Sequence, residues 1–333
     1  MINNDNQHKQ WVRLVFIYEV AFVLIYAMLI ITGYREFIIW SQVGDLLFES
    51  SFHERSNTVL KLFADKSFHA TRIALIYPIF QLSDILNINV LTLYSLTVLI
   101  LLVLMYKIIL SILRSYSVAH LAFFILVFLL ILSLFMHGRI VFAMFGNALI
   151  LYVLFTRIHF PRKMNFMKLV IYLMIALWFC SVSSGTFTVA VGAIIIFCSL
   201  RMLIGWPYIQ RRFLILFVVL IALLILMSPI LLQMINKNLD YYDGSLISML
   251  NHGFGKYVLD YFYVTGVLLF IASFLFVKFI CFLKRNKEFI LPLSMIIASL
   301  AIGLFGLSSL ASGLPAYILF IYMYLNKNNL KVS

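Results

Sequence analysis

Residues 119–136 and 213–233 carry no charged side chain. Apolar runs of about 17–24 residues recur along the rest of the chain, the length at which a helix crosses a hydrocarbon core of roughly 30 Å. Unbroken runs argue for helices, because the strands of a membrane barrel would alternate apolar and polar residues. Composition agrees: 64% of the residues are hydrophobic and 11% charged, where a soluble domain carries about 25% charge. The expected fold is all-α, a polytopic helical membrane protein forming one integral membrane domain over 1–333.

About ten spans are expected, at 11–32, 89–112, 119–136, 140–156, 169–182, 186–200, 213–235, 257–277, 289–310 and 314–325. The first is too long for the apolar region of a signal peptide and lacks a small-residue cleavage site after it, so it reads as an uncleaved span. Cys180, Cys198 and Cys281 are dispersed in apolar runs, which suits neither a disulfide framework nor a metal site. No metal or cofactor is expected.

The net charge of +13 would suggest nucleic acid in a soluble protein. Here the basic residues sit at span ends, where they orient the chain and meet lipid headgroups. No nucleic-acid partner is expected. With a cytoplasmic N-terminus, basic clusters follow every second span on the inner side, among them Arg157, Arg162, Lys163 and Lys168, and later Lys284, Arg285 and Lys287. Both termini are then cytoplasmic, and 34–88 and 236–256 are outer loops. The run between Lys168 and Arg201 must form two short spans turning at Ser183, Ser184 and Gly185, or every later cluster would change side. Residues 73–88 admit two readings. An eleven-span chain with an outer N-terminus also satisfies the charge rule. Pro78, Gln81 and Asp84 would burden so short a span, and Leu75, Pro78, Ile79, Leu82 and Leu86 lie near helical spacing. An amphipathic helix lying on the outer leaflet is the preferred expectation.

Candidate chemistry follows from what is not hydrocarbon. Half of the 12 acidic residues fall within 34–87, including Glu36 and Asp45, together with Arg35, His69 and Arg72. His137, Gly138 and Arg139 link two strongly apolar spans. A hairpin needs only a turn there, which Gly138 supplies. Arg139 opposes the inside bias of basic residues. It reads either as an arginine snorkelling to a headgroup or as a cation held for a phosphate, which guanidinium binds bidentately. Arg72 and Arg139 are candidate anion-binding cations at one membrane face, and Asp45 or Glu36 a candidate carboxylate base. Arg35, His137, His252, Lys256 and Asp260 are candidate substrate-binding residues, with Asp260 placed to pair with Lys256 four residues earlier. Glu19 lies mid-span, where a carboxylate is a functional candidate.

The layout resembles the Wzy/EpsG-like polysaccharide repeat-unit polymerases, and more distantly the polyprenyl-phosphate-dependent GT-C glycosyltransferases. The resemblance lies in a first span, an acid-bearing outer loop (Glu36, Asp45), and an amphipathic segment starting at Arg72-Ile-Ala-Leu-Ile-Tyr-Pro-Ile-Phe. That segment runs through Leu-Asn-Ile-Asn into the next span, and Gly138-Arg139-Ile-Val-Phe-Ala opens a later one. It implies substrates that are glycans on undecaprenyl diphosphate, transferred at the outer face of a bacterial cytoplasmic membrane without nucleotide. Partners would be these lipid-linked glycans, membrane lipids, a flippase and a chain-length regulator. Arg139 and Arg72 would stabilise the leaving diphosphate, and Asp45 or Glu36 would take the acceptor proton. A flippase or transporter of lipid-linked glycans, and a non-catalytic membrane subunit, are the competing readings.

Overall fold

The computed structural model describes residues 52–65, 67, 70–114, 138–160, 162–203, 245–251 and 255–325. It also describes most of 16–33 and the single positions 232, 236 and 240. The described residues are helical throughout, with no strand among them. Three helices among them are long and apolar enough to cross a membrane, at Val90–Leu113, Gly138–His159 and Ser184–Arg201. The full count of about ten spans is not set by these, because 119–136 and nearly all of 213–235 lie outside the described residues.

Contacts divide the chain into two compact units. The first holds residues 1–64, 69–182 and 321–333, and the second 65–68 and 183–320.

In the first unit, residues 16–31 are helical where described. They bury Tyr26 and Ile30, four positions apart, and expose Phe16, Ile17, Ile25, Met28 and Ile31. So much exposed apolar surface suits hydrocarbon as the solvent. Helix α1 (Phe52–Ala64) packs on α2 (Ala70–Leu86). Arg55 joins them: its Nη1 donates to Asp84 Oδ2, and its guanidinium lies 5.4 Å from the Phe80 ring centre.

Helix α2 buries Arg72, Ile73, Ile76, Ile79, Phe80 and Ser83, one stripe at helical spacing. The apolar stripe expected to face lipid is divided. Leu75 and Ile79 are buried, while Pro78, Leu82 and Leu86 are exposed. The helix is apolar on two sides because one packs on protein. Its end is sharp. Asn87 adopts φ 50°, Ile88 N–H donates to Ser83 O (3.1 Å) and Asn87 N–H to Asp84 O (3.4 Å), the two bonds of a Schellman cap. Asn89 then caps α3 (Val90–Arg114), its Oδ1 accepting from Leu91 N at 2.8 Å. Leu-Asn-Ile-Asn is thus a two-cap corner between the helices.

Helix α4 (Gly138–His159) packs between α3 and α5 (Phe166–Cys180) and is buried along most of its length. Gly146 makes the close approach possible. A Cβ there would lie 2.6 Å from both Ala176 O and Cys180 Sγ. Small residues at contacts are how membrane helices gain dispersion when lipid offers no hydrophobic drive. Asn147, fully buried, accepts from Cys180 Sγ at 3.4 Å. Asn165 caps α5 by accepting from Lys168 N at 2.8 Å.

The second unit starts at α6 (Ser184–Leu203), capped by Ser183 Oγ, which accepts from Thr186 N at 3.2 Å. Two helices, α5 and α6, stand where two short spans were expected, and of them only α6 is long and apolar enough to cross a membrane. The turn lies at 181–183, so Ser184 and Gly185, expected in it, open α6 instead. After α7 (Leu246–Asn251) and α8 (Gly255–Asp260), the chain forms α9 (Phe262–Arg285), a 3-10 turn at Lys287–Phe289 and α10 (Ile290–Gly303). Helices α11 (Leu307–Ser312) and α12 (Leu314–Leu325) follow, the last residues of α12, from Ile321 on, belonging to the first unit. Two expected spans differ. The run 257–277 is interrupted at Tyr261, and 289–310 breaks after Gly303. Gly303 and Gly306 weaken helix continuation there, and the Leu304 carbonyl freed by the break accepts from Gly255 N at 2.9 Å. Helix α6 packs on α10 and α11 through small residues: a Cβ on Gly185 would meet Ser309, and one on Gly192 would touch Ala298 at 3.6 Å.

Candidate functional site

Four helix ends of the first unit meet. Trp178, near the end of α5, donates its Nε1–H to Thr71 O at 3.3 Å. This ties the last turn of α5 to the first turn of α2. Tyr94, in the first turns of α3, stacks on Phe142 of α4 with ring centres 5.9 Å apart. Phe142 stacks in turn on Phe179 of α5 (6.0 Å). An aromatic floor therefore joins α3, α4 and α5 beneath the start of α4.

Two cations stand at this meeting point. Arg72 is 8% exposed. Burial pushes its guanidinium down to about 10, and the facing charge of Arg139 pushes the same way. Two arginines distant in sequence are thus close enough to feel one another's charge. Among the described residues the one ion pair is Arg55–Asp84, so no described carboxylate neutralises Arg139. Like charges brought together with one of them buried are costly. Such a pair is the arrangement that an anion would stabilise.

The backbone adds to the positive field. Gly138 and Arg139 are the first residues of α4. The opening N–H groups of a helix have no intrahelical acceptor, and the helix dipole is positive there. Anions bind such ends readily. Gly138 is a close approach as well as a turn. A Cβ on it would lie 2.8 Å from Tyr94 Oη.

Of the residues expected from sequence, Arg72 and Arg139 are brought together. Lys256 and Asp260 are exposed on α8 in the second unit, and no ion pair forms between them among the described residues. Glu36, Asp45, Arg35, His137, His252 and Glu19 lie outside the described residues. The described residues contain no group of three or more His, Cys, Asp or Glu able to hold a metal ion.

Sequence reasoning missed Tyr94 and the second role of Gly138. The chain has 18 tyrosines, and one near a span end reads as part of the interfacial aromatic belt. Nothing local marks it. Only the packing of α3 on α4 brings its hydroxyl to Gly138.

No protein-family model matches the chain, and no curated protein or solved structure is similar to it.

Proposed function

We propose that the chain polymerises polyprenyl-diphosphate-linked oligosaccharide repeat units into a surface polysaccharide at the outer face of a bacterial cytoplasmic membrane. The observation that carries this reading is the junction of helix ends in the first unit, where Trp178 ties α5 to the first turn of α2 beside Arg72 and Arg139 opens α4. A chain with apolar helices and two guanidiniums near a helix N-terminus is suited to a diphosphate whose lipid tail lies in the bilayer.

The reaction needs no nucleotide, because the sugar–phosphate bond supplies the driving force. A hydroxyl oxygen of the acceptor sugar attacks the anomeric carbon of the donor glycan. The bond from that carbon to the diphosphate oxygen breaks, and the diphosphate leaves with the electron pair. Arg72 and Arg139 stabilise the charge gathering on it. The acceptor proton passes to a carboxylate, a role proposed for Asp45 or Glu36. Arg35, His137, His252, Lys256 and Asp260 are proposed to contact the glycans. Partners on this reading are a flippase and a chain-length regulator.

Arg139→Ala tests it. In a deletion strain carrying the variant, long chains should vanish while single repeats persist on a gel of surface glycan. The rate should fall by about 10²–10³, the usual loss for one electrostatic stabiliser. Wild-type chain lengths from a well-expressed Arg139→Ala protein would end this reading.

A further inference from the structure

Tyr94 has no side-chain exposure, and its hydroxyl has no hydrogen-bond partner among the described residues. A buried hydroxyl left unpaired is costly, and tyrosines that are buried usually direct their O–H at an acceptor. The direction of this one is set. Its ring stacks on Phe142 at an interplanar angle of 13°, and its oxygen lies 2.8 Å from the point where a Gly138 Cβ would stand. Gly138 is the first residue of a 22-residue helix. The hydroxyl is therefore aimed at the opening of α4, where the unsatisfied amides begin and Arg139 follows.

We propose that Tyr94 Oη donates a hydrogen bond to a phosphate oxygen seated at the N-terminus of α4 beside Arg139. Three kinds of donor then converge on one anion: a neutral O–H from α3, the first amides of α4, and the guanidinium of Arg139. A hydrogen bond from a neutral hydroxyl to a charged acceptor is stronger than one between neutral partners. It also gives the site a fixed direction, because the Tyr94 ring is held by its stack on Phe142. Gly138 lets the hydroxyl come this close to the first turn, because a Cβ there would stand 2.8 Å from Tyr94 Oη. This inference rests on the phosphate-binding reading above and names a further ligand-binding residue for it. The shared chemistry is a phosphate group, which could come from a polyprenyl diphosphate or from a phospholipid headgroup.

The experiment uses the full chain in nanodiscs of phosphatidylcholine, with inorganic pyrophosphate as the probe and calorimetry as the readout. Tyr94→Phe keeps the ring and its stack on Phe142 and removes only the hydroxyl. Its affinity for pyrophosphate should fall about tenfold, an effect typical of losing a hydrogen bond to a charged group. Its ligand-free melting temperature should not fall, because no protein partner is lost. Gly138→Ala should weaken binding from the other side of the same space, and Arg139→Gln serves as the reference for the cation.

Unchanged affinity in Tyr94→Phe with weakened affinity in Arg139→Gln overturns the role of Tyr94 and leaves the arginine pair standing. Unchanged affinity in both overturns the phosphate reading as well. A second arm replaces phosphatidylcholine with phosphatidylglycerol and follows the gain in melting temperature. If that gain depends on Tyr94 while pyrophosphate does not bind, the hydroxyl serves a lipid headgroup. Tyr94 then remains a phosphate ligand, and the polymerase reading loses its support.

Discussion

At the scale of single residues, Arg72 is the informative one, because its position costs stability. In the fold, burial and the nearby charge of Arg139 lower the pH at which its guanidinium gives up its proton to about 10, well below that of a free arginine. The folded state therefore binds the proton less tightly. The penalty is present in full below about pH 10 and is relieved as pH rises above it. A shift of this size corresponds to roughly a few kcal/mol. The melting temperature of ligand-free Arg72→Met relative to the wild type should accordingly fall between pH 8 and pH 10.5, as the wild type is relieved of that penalty. Thermal unfolding in detergent at the two pH values checks this. A gap that stays constant would mean that burial and the facing Arg139 do not set the stability of this position. The same substitution should reduce the stabilisation conferred by pyrophosphate, which for a one-site ligand at 100 times its Kd is about 2.7 kcal/mol.

At the scale of elements, the site depends on how closely α4 and α5 approach. Gly146 sets that distance, because a Cβ there would stand 2.6 Å from the Ala176 carbonyl oxygen. That neighbour is backbone and cannot rotate away. Gly146→Ala should therefore destabilise the protein by about 1–3 kcal/mol, the usual cost of overpacking, against any gain from replacing a helical glycine. A melting temperature equal to wild type would show that the two helices have room to separate. Helix α2 shows what period alone leaves undecided. Its apolar positions occur on both sides, so the sequence pattern identifies a helix but not which stripe meets protein. The packing of α2 on α3 and α5 decides that Arg72, Ile76 and Ile79 turn inward. The two asparagines of Leu-Asn-Ile-Asn were legible as punctuation. Their roles as a left-handed cap and an N-cap need the coordinates.

At the scale of the whole molecule, the charge pattern makes a claim about sidedness that labelling can test. Cys180 and Cys198 are buried and Cys281 is exposed, so Cys281→Ser leaves a quiet background for an impermeant maleimide on intact cells. Lys61, Lys163 and Lys256 are all exposed. Lys61→Cys and Lys256→Cys should label from outside, and Lys163→Cys only after permeabilisation. Lys61 is the discriminating position. The eleven-span alternative puts it inside, so labelling of Lys61→Cys only after permeabilisation would make 73–88 a span. Labelling of Lys163→Cys in intact cells would invert the orientation altogether.

The sequence by itself determined that the chain is helical and suited to a bilayer, because runs of uncharged residues this long have no other stable solvent or backbone arrangement. It also marked Arg139 as an arginine on the unexpected side of the charge pattern, since local composition suffices to notice a misplaced charge. It placed the turn after α5 two residues late, at 183–185 where the turn is at 181–183, because the small residues it relied on, Ser184 and Gly185, open α6. Tertiary structure alone decided that Arg72 lies near enough to Arg139 to feel its charge, that Tyr94 points its hydroxyl at Gly138, and that the Leu304 carbonyl accepts from Gly255 N. Each of these depends on which helices pack together. In a chain that is apolar on nearly every face, the hydrophobic pattern carries little of that information. Close packing of small residues such as Gly146, and the few polar groups left inside, carry it instead.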